Sequence, residues 1–435
     1  MAALTEARTG QAPKFQRSLD DVDAARGRIA ELLAKPLTAD SAVELAFLNH
    51  RGLQASFSEL GIAEAELVRA GRLRNPTLGF GRLRDGGGVV EIERSVLFDV
   101  LGLLTLPVAS QVEQGRFEQA VLQAAHEAVG VASDTRKAYF AAVAARELVT
   151  YFRQVKEAAE ASNELARRMA EAGNFNKLAR MREQAFHADA TLQLARAQHR
   201  AVAERERLTR LLGLSGEQVN LALPDRLPEL PQAPAEPKDA EQTAMAQRLD
   251  VLMARRAAEH TAKTLGLTQA TRFINVLELG YRNKTVTGES RSDGYVIELE
   301  LPLFDFGATR AVRAEAVYMQ AVHRTAQVAV DARSEVRECY SAYRTSYDLA
   351  RHYRDEVVPL RKRISEENLL RYNGMLIGVF DLLADAREQV TSVTGYVEAL
   401  RDFWVADTDL KTALTGRSPG APITMRSSVS PAPVH

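Results

Sequence analysis

Eight histidines and a single cysteine are the residues that metal or nucleophilic chemistry would call on first in this chain. No two histidines form an i, i+4 pair or a His-Glu-x-x-His set, the spacings that put several ligands on one side of a helix. His126, His187, His199, His323 and His352 fall singly in helical stretches, where a lone His is more often a satisfied surface or interface residue than a ligand. Cys339 alone can close no internal disulfide and build no thiolate zinc site, so it reads as a small, at least half-buried helix residue. Gly79-Phe80-Gly81 lacks the third glycine of a dinucleotide fingerprint and opens no helix. Leu212-Gly213-Leu214-Ser215-Gly216 lacks the Gly-Lys-Ser/Thr of a phosphate loop, and Asp20-Asp21-Val22-Asp23 lacks the central Gly and final Glu of a calcium loop. Glu366 and Glu367 are adjacent on a helix and point in different directions. No catalytic constellation, cofactor or metal is expected.

With chemistry absent, the elements that would carry any function come forward. The 435 residues hold 56 Lys+Arg against 57 Asp+Glu, and the balance lacks the basic excess of a nucleic-acid binder. A charged fraction of 26% and an apolar fraction of 46% describe an ordered protein, while aromatics at 6% and abundant Ala, Leu, Glu and Arg are the composition of long helices. The longest low-charge stretch, Val96 to Ala109, contains Asp99 and Pro107 and is too short for a spanning helix, which needs about 20 apolar residues. Met1 to Ala30 is polar throughout, with no basic n-region leading into an apolar h-region.

The chain is written twice. Gly173-Asn174-Phe175-Asn176-Lys177-Leu178-Ala179-Arg180-Met181-Arg182-Glu183-Gln184 matches Gly378-Val379-Phe380-Asp381-Leu382-Leu383-Ala384-Asp385-Ala386-Arg387-Glu388-Gln389, and Leu97-Phe98-Asp99 matches Leu303-Phe304-Asp305 at a nearly equal offset. A near-constant offset at distant points indicates duplication. Each copy has the same order. A helix (Leu45 to Ala70; about Ala240 to Leu265) precedes two alternating runs (Thr77 to Arg84 and Val89 to Phe98; Arg272 to Arg282 and Asp293 to Phe304). A very long helix follows, Pro107 to Ala172 or Gly307 to Asn373, the first about 100 Å at roughly 1.5 Å per residue.

Apolar or small residues recur every three or four positions at Ala145, Leu148, Phe152, Val155, Ala159, Ser162, Leu165 and Met169, and at Tyr343, Tyr347, Ala350, Tyr353, Val357, Leu360 and Ile364. That is the seam of a helix packed along another, and a coiled-coil core accounts for it without a ligand. Gly173 and Gly378 interrupt the pattern, and helices from about Lys177 to Leu212 and Phe380 to Leu414 return in the opposite direction. Pro359, which faces Gln154 in the other copy, predicts a kink in the second long helix only.

The resulting division is an N-terminal extension (1–40), a first repeat (41–222, with a hairpin at 77–98 and a helical hairpin at 107–212) and a Pro-rich extended linker (223–239). A second repeat follows (240–415, with a hairpin at 272–304 and a helical hairpin at 307–414), then a low-complexity, disordered tail (416–435).

The strands alternate. Tyr295, Ile297, Leu299 and Leu301 fall on one face and Glu298 and Glu300 on the other, and Val90-Glu91-Ile92-Glu93 does the same. A half-buried strand of a soluble sandwich and a membrane strand with lipid outside and water inside both look like this. Two hairpins cannot close a barrel that needs about eight strands, but four strands from each of three chains would give twelve.

The doubled order of helix, hairpin and helical hairpin resembles the TolC-type outer-membrane efflux channels, as do Arg72-Leu73-Arg74-Asn75-Pro76, Pro302-Leu303-Phe304-Asp305-Phe306-Gly307 and Gly378-Val379-Phe380-Asp381-Leu382-Leu383-Ala384. The similarity covers roughly Leu45 to Thr415. It implies a mainly α fold with a small β part: a homotrimer whose 12-stranded β-barrel sits in outer-membrane lipid and whose helical hairpins form an α-barrel in the periplasm. It further implies a passive exit duct, not an enzyme, with a periplasmic adaptor (membrane fusion protein) and an inner-membrane efflux pump as partners. An exported member would carry a signal and some carry a lipid-bearing N-terminal Cys. Neither is legible here, which leaves a coding start that lies elsewhere, a sequence that begins after processing, or a member that is not exported, the first two being the expectation.

The resemblance also places residues. Tyr372 and Asp381 fall near positions that help hold the periplasmic aperture shut, while Ile377 stands where some members have a charge. Gly173, Asn174, Phe175, Asn176, Gly378, Val379, Phe380 and Asp381 are the expected helix tips and adaptor-docking surface. Glu91, Glu93, Glu298 and Glu300 are the lumen candidates; rings of them would favour cations, but any wet lumen needs polar residues and that alone accounts for them. The overall look of the chain leans the expected cargo toward metal cations over organic drugs. A soluble trimeric coiled-coil scaffold is the competing reading.

Overall fold

Short polar side chains start the first helices. In the structure, a computed structural model, the Ser18 and Thr38 hydroxyls accept hydrogen bonds from the Asp21 and Ser41 amides, whose side chains reach back in two capping boxes. Residues 1–173 and 176–420 are described, with the side chains of all of them except Glu217, Val379, Phe380, Asp381 and Leu383. The order is α1 (Ala2–Thr9), α2 (Leu19–Leu33), α3 (Ala39–Asn49), α4 (Arg51–Ala70), β1 (Thr77–Arg84), β2 (Val90–Asp99), α5 (Val100–Glu171) and α6 (Lys177–Leu212). There follow α7 (Ala240–Gln247), α8 (Leu249–Thr271), β3 (Val276–Val286), β4 (Ser292–Glu300), α9 (Ala308–His352), a π-helical turn (Tyr353–Val357), α10 (Val358–Asn373) and α11 (Val379–Thr415).

The chain forms two compact units. One comprises Met1–Gln54, Ala125–Leu249 and the described residues from 332 onward; the other comprises Ala55–Ala124 and Asp250–Asp331. The first unit is all helix and irregular chain. Its core gathers Ile29, Leu45, Tyr139, Leu208, Tyr343 and Phe403 from α2, α3, α5, α6, α9 and α11. Gly213 closes α6 in the left-handed region (φ 66°), and a Cβ there would stand 2.6 Å from the Asn49 carbonyl oxygen. The Asn49 side-chain amide in turn donates to the carbonyls of Leu212 and Gly213 at 3.1 and 2.6 Å. Gly213→Ala should therefore cost about 2 kcal/mol or more, left-handed backbone and overpacking together, read as a lowered urea midpoint with unchanged m-value.

The structure corrects the sequence reading at several points. The helix expected over Leu45 to Ala70 is broken at His50 (φ −71°, ψ 107°), whose ring accepts the Leu53 amide and so caps α4. The helix expected over Ala240 to Leu265 is likewise two helices, parted at Arg248. That residue is buried, with its guanidinium paired to Glu335. The first long helix begins at Val100 and runs through Pro107. The Pro-rich segment 223–239 is irregular but is no free linker. Leu223, Leu227 and Leu230 are buried, Tyr347 and Trp404 donate to the carbonyls of Gln232 and Pro228 at 2.8 and 3.0 Å, and the Ala235 amide donates to Tyr343 at 2.7 Å. The expected irregularity before Pro359 is a π turn, after which Pro359 sits in the first turn of α10, where its missing N–H costs nothing. The seam residues Ala145, Leu148, Val155, Ala159, Tyr343, Tyr347 and Ala350 are buried, but Leu165 and Leu360 are exposed. Of the expected tail, residues 421–435 lie outside the described residues.

In the second unit the four strands form one antiparallel sheet in the order β1-β2-β3-β4, so each hairpin pairs internally and β2 pairs with β3. The duplicated Leu-Phe-Asp motif has a local reason. Asp99 accepts the Gly102 amide at 2.6 Å and starts α5, while Asp305 accepts the Gly307 amide at 2.9 Å just before α9. The hydrogen bonds from Gly307 and Thr309 hold the Asp305 carboxyl below the usual carboxylate range. The second hairpin is shifted from its expected bounds, and Leu301 has left the strand. Pro302 offers no ladder donor, and the chain turns there through Leu303 N to Leu301 O and Phe306 N to Pro302 O bonds of 2.9 and 2.7 Å.

Candidate functional site

Cross-strand register sorts the sheet into two unlike faces. Tyr295, Ile297 and Leu299 of β4 stand opposite Tyr281, Leu279 and Leu277 of β3. Tyr281 and Leu279 in turn face Val96 and Phe98 of β2, and Val96 faces Leu78 of β1. Away from the hairpin loops this face is apolar and uncovered: Leu78 is 74% exposed, Tyr295 90% and Ile297 68%. β2, β3 and β4 have 10, 11 and 9 residues, the length a tilted strand needs to cross a bilayer, and β1 with 8 is one short of it. Among the described residues the outer edges of β1 and β4 have no strand partner.

On the other face the register brings together all four acidic candidates. Glu91 and Glu93 of β2 lie opposite Val286 and Lys284, Glu298 lies opposite Glu278, and Glu300 opposite Val276. Reading single strands missed two basic partners on the same face. Lys284 bonds Glu91 at 2.6 Å, and Arg282 bonds Glu93 at 2.8 Å and reaches Glu298 at 4.0 Å. Glu300 accepts from the Asn275 amide at 2.9 Å. The parity of Glu278, Arg282 and Lys284 in β3 carried that signal, but the expected strand ended at Arg282. Gly79, Gly81, Gly280, Gly294 and Ser95 are small residues on the same face, and Leu83, Leu97, Val276, Val286 and Val296 stand among them, so this face mixes charged, small and aliphatic residues.

The helix reversals lie in the first unit. Gly173 is left-handed (φ 75°) just after α5, and Asn176 caps α6 by accepting the Ala179 amide at 2.8 Å. Asn174 and Phe175 lie outside the described residues; Val379, Phe380 and Asp381 open α11, but their side chains lie outside the description. Tyr372 is in the last turn of α10, half-buried, and Gly378 immediately precedes α11. At the second reversal the left-handed position is held by Met375 (φ 58°). Its amide bonds Tyr372 O and the Leu376 amide bonds Arg371 O, both at 2.9 Å, a Schellman motif with Met where Gly is usual. Met375 and Leu376 are exposed, as are Leu178, Met181, Leu369 and Leu370 nearby in sequence.

A few turns from the reversals is a group the sequence did not single out. Glu183 on α6 is buried and accepts from the Ser162 hydroxyl at 2.8 Å. Its second oxygen faces Arg387 of α11 at 3.6 Å. Arg387 lies 4.6 Å over the Phe186 ring and donates to the Arg182 carbonyl at 3.4 Å. Arg387 is the duplication partner of Arg182, so one hairpin's arginine completes the other hairpin's acid. On the outer side of α5, bonds from Arg167 and Arg168 hold the Glu164 carboxyl down at about 2.

Comparison with known proteins bears on the fold. No protein-family model matches the chain, and no curated protein matches it. Among solved structures it is similar to CusC, described in terms of transmembrane channel formation, with a TM-score of 0.72 and 17% identity over 87% of this chain and 92% of that one. The Campylobacter jejuni CmeC outer membrane channel matches with a TM-score of 0.70 and 14% identity, over 92% of this chain and 88% of that one. The open state of the Neisseria gonorrhoeae MtrE outer membrane channel matches with a TM-score of 0.71 and 16% identity, over 91% of each chain. The chain has the TolC-type channel fold, as its sequence resemblance implied.

Proposed function

We propose that this chain is the outer-membrane duct of a tripartite efflux system, a passive exit from periplasm to exterior that performs no covalent chemistry. The observation that carries the reading is the sheet. An open four-stranded sheet with strands of about membrane length, one bare and largely apolar face and one face that carries the charged residues among small and aliphatic ones is unstable alone in water. The alternation β1 to β4 leaves its two edges antiparallel to each other, so β1 of one copy continues the ladder from β4 of the next, and three copies close twelve strands with the apolar face to lipid. The exposed apolar reversals then offer a surface to a periplasmic adaptor and, with it, an inner-membrane pump. Detergent extraction from outer membranes as a trimer that conducts in planar bilayers is expected; recovery as a soluble trimer would favour the scaffold instead.

Within that reading Glu91, Glu93, Glu298 and Glu300 face the lumen together with Glu278. Arg282 and Lys284 offset part of their charge and leave an acidic excess that favours cationic cargo, metal ions among it. A deletion strain should lose tolerance to copper, silver, zinc, cobalt or cadmium; loss of tolerance to dyes or antibiotics alone would assign organic drugs.

The Glu183 and Arg387 pair ties one helical hairpin to the other near the reversals, and in a duct it acts as a latch on the periplasmic aperture. Arg387→Ala leaves a buried carboxylate without its cation, which costs about 1–3 kcal/mol locally. The expected result is a trimer of normal yield with closed-state conductance raised severalfold. Glu183→Gln/Arg387→Gln, which removes both charges, should conduct like the single variant; unchanged conductance in both would remove the pair from the mechanism. Charge reversal at Asp381 should weaken adaptor docking or closure in the same assay.

A further inference from the structure

On the apolar face of the sheet, the end at the hairpin loops carries three arginines. Arg82 and Arg84 of β1 lie opposite Ile92 and Val90, and Arg94 of β2 lies opposite Phe80, so all three share the face of Leu78, Val96 and Tyr281. Arg82 and Arg94 are diagonal neighbours, about 7–8 Å apart at the backbone. All three are exposed. Among the described residues neither Arg82 nor Arg84 has a carboxylate within ion-pair distance, and Arg94 has only a 3.4 Å bond to the Asn283 side-chain oxygen. The nearby acids are otherwise placed. Asp85 is occupied by the Gly87 and Val89 amides at 3.0 and 2.9 Å, and Asp293 of β4 lies across Asn283, two strands from Arg94. The opposite face treats its basic residues differently, since Arg282 and Lys284 are both paired with glutamates.

A guanidinium on a lipid-facing strand costs about 2–4 kcal/mol at the bilayer midplane and close to nothing at the interface. These three begin where the apolar rows end, at the rim farthest from the helices. A planar, always charged fork with no protein carboxylate beside it matches phosphate oxygens, which it can take in pairs. We propose that Arg82, Arg84 and Arg94 bind the phosphate groups of a phosphorylated glycolipid of the outer leaflet, of the lipid A type, whose acyl chains lie along Leu78, Phe80 and Val96. The inference rests on the duct reading, which sets this face to lipid and this rim to the outer leaflet.

The test uses purified full-length trimer in detergent, titrated with bisphosphorylated lipid A, with its dephosphorylated form, and with inorganic phosphate as competitor, bound lipid being counted by native mass spectrometry. Wild type should bind bisphosphorylated lipid A about tenfold or more tighter than R82Q/R84Q/R94Q, and about tenfold tighter than the dephosphorylated form. R82K/R84K/R94K, which keeps the charge and loses the fork, should fall between wild type and the triple glutamine variant, and R84Q alone should lose about threefold, so a triple variant that failed to assemble would still leave a readout. Equal lipid A binding by wild type and the glutamine variants, both trimeric, overturns this inference and spares the duct. Displacement of lipid A by millimolar inorganic phosphate overturns it in favour of a free-anion site. A wild-type chain that forms no membrane trimer overturns both.

Discussion

Leu279→Arg should cost the proposed trimeric barrel about 2–4 kcal/mol. Leu279 lies on β3, an inner strand, opposite Phe98 on one side and Ile297 on the other, within the apolar rows. A guanidinium there can reach neither the loop rim nor the polar face, so its desolvation is not relieved by snorkelling. Leu299, one row nearer the helical end of the sheet, should cost less, because a long side chain can lean out of the apolar band. The paired control is Glu278→Arg, one residue away on the opposite face, which should assemble normally and shift ion preference toward anions. Heat-resistant trimer on gels and urea midpoints in lipid or detergent measure both. If Leu279→Arg and Glu278→Arg assembled alike, the assignment of faces would be wrong and the sheet would be no membrane barrel.

Phe403→Ala should destabilise the helical unit by about 3–5 kcal/mol. Phe403 is 1% exposed on α11 and its ring lies 5.5 Å from Tyr343, 5.8 Å from Tyr347 and 5.1 Å from Trp404. Those three neighbours also hold the Pro-rich segment 223–239 through their polar tips. Truncating Phe403 therefore opens a cavity and loosens the hydrogen bonds that pin that segment. Trp404 is the sole tryptophan and stacks on Phe140 at 5.4 Å, so its fluorescence reports the loss directly in a urea titration. Tyr347→Phe, which keeps the ring and drops the hydroxyl, should cost only about 1 kcal/mol. A Phe403→Ala cost below that of Tyr347→Phe would mean the ring cluster is not what holds the segment.

The sequence alone determined what is local. Period-two alternation marked the strands and sorted Tyr295, Ile297 and Leu299 from Glu298 and Glu300, because neighbouring side chains of a strand must point apart. The 3-and-4 spacing gave the long helices, and the repeated Leu-Phe-Asp was visible because a capping carboxylate acts within three residues of itself. The duplication and the family motifs gave the fold class. Tertiary structure decided what depends on residues far apart in the chain. The β2 to β3 register set Lys284 beside Glu91 and Arg282 beside Glu93, and no single-strand pattern contains that pairing. The buried Arg248 guanidinium, satisfied by Glu335 many residues later, splits a helix whose local propensity would have continued. The Pro-rich segment reads as an extended linker until tyrosines of α9 and the tryptophan of α11 fix its backbone. Glu183 is an ordinary helical glutamate in sequence and a buried, ion-paired one only beside Arg387, because burial and ion pairing are properties of the packed neighbours and not of the residue.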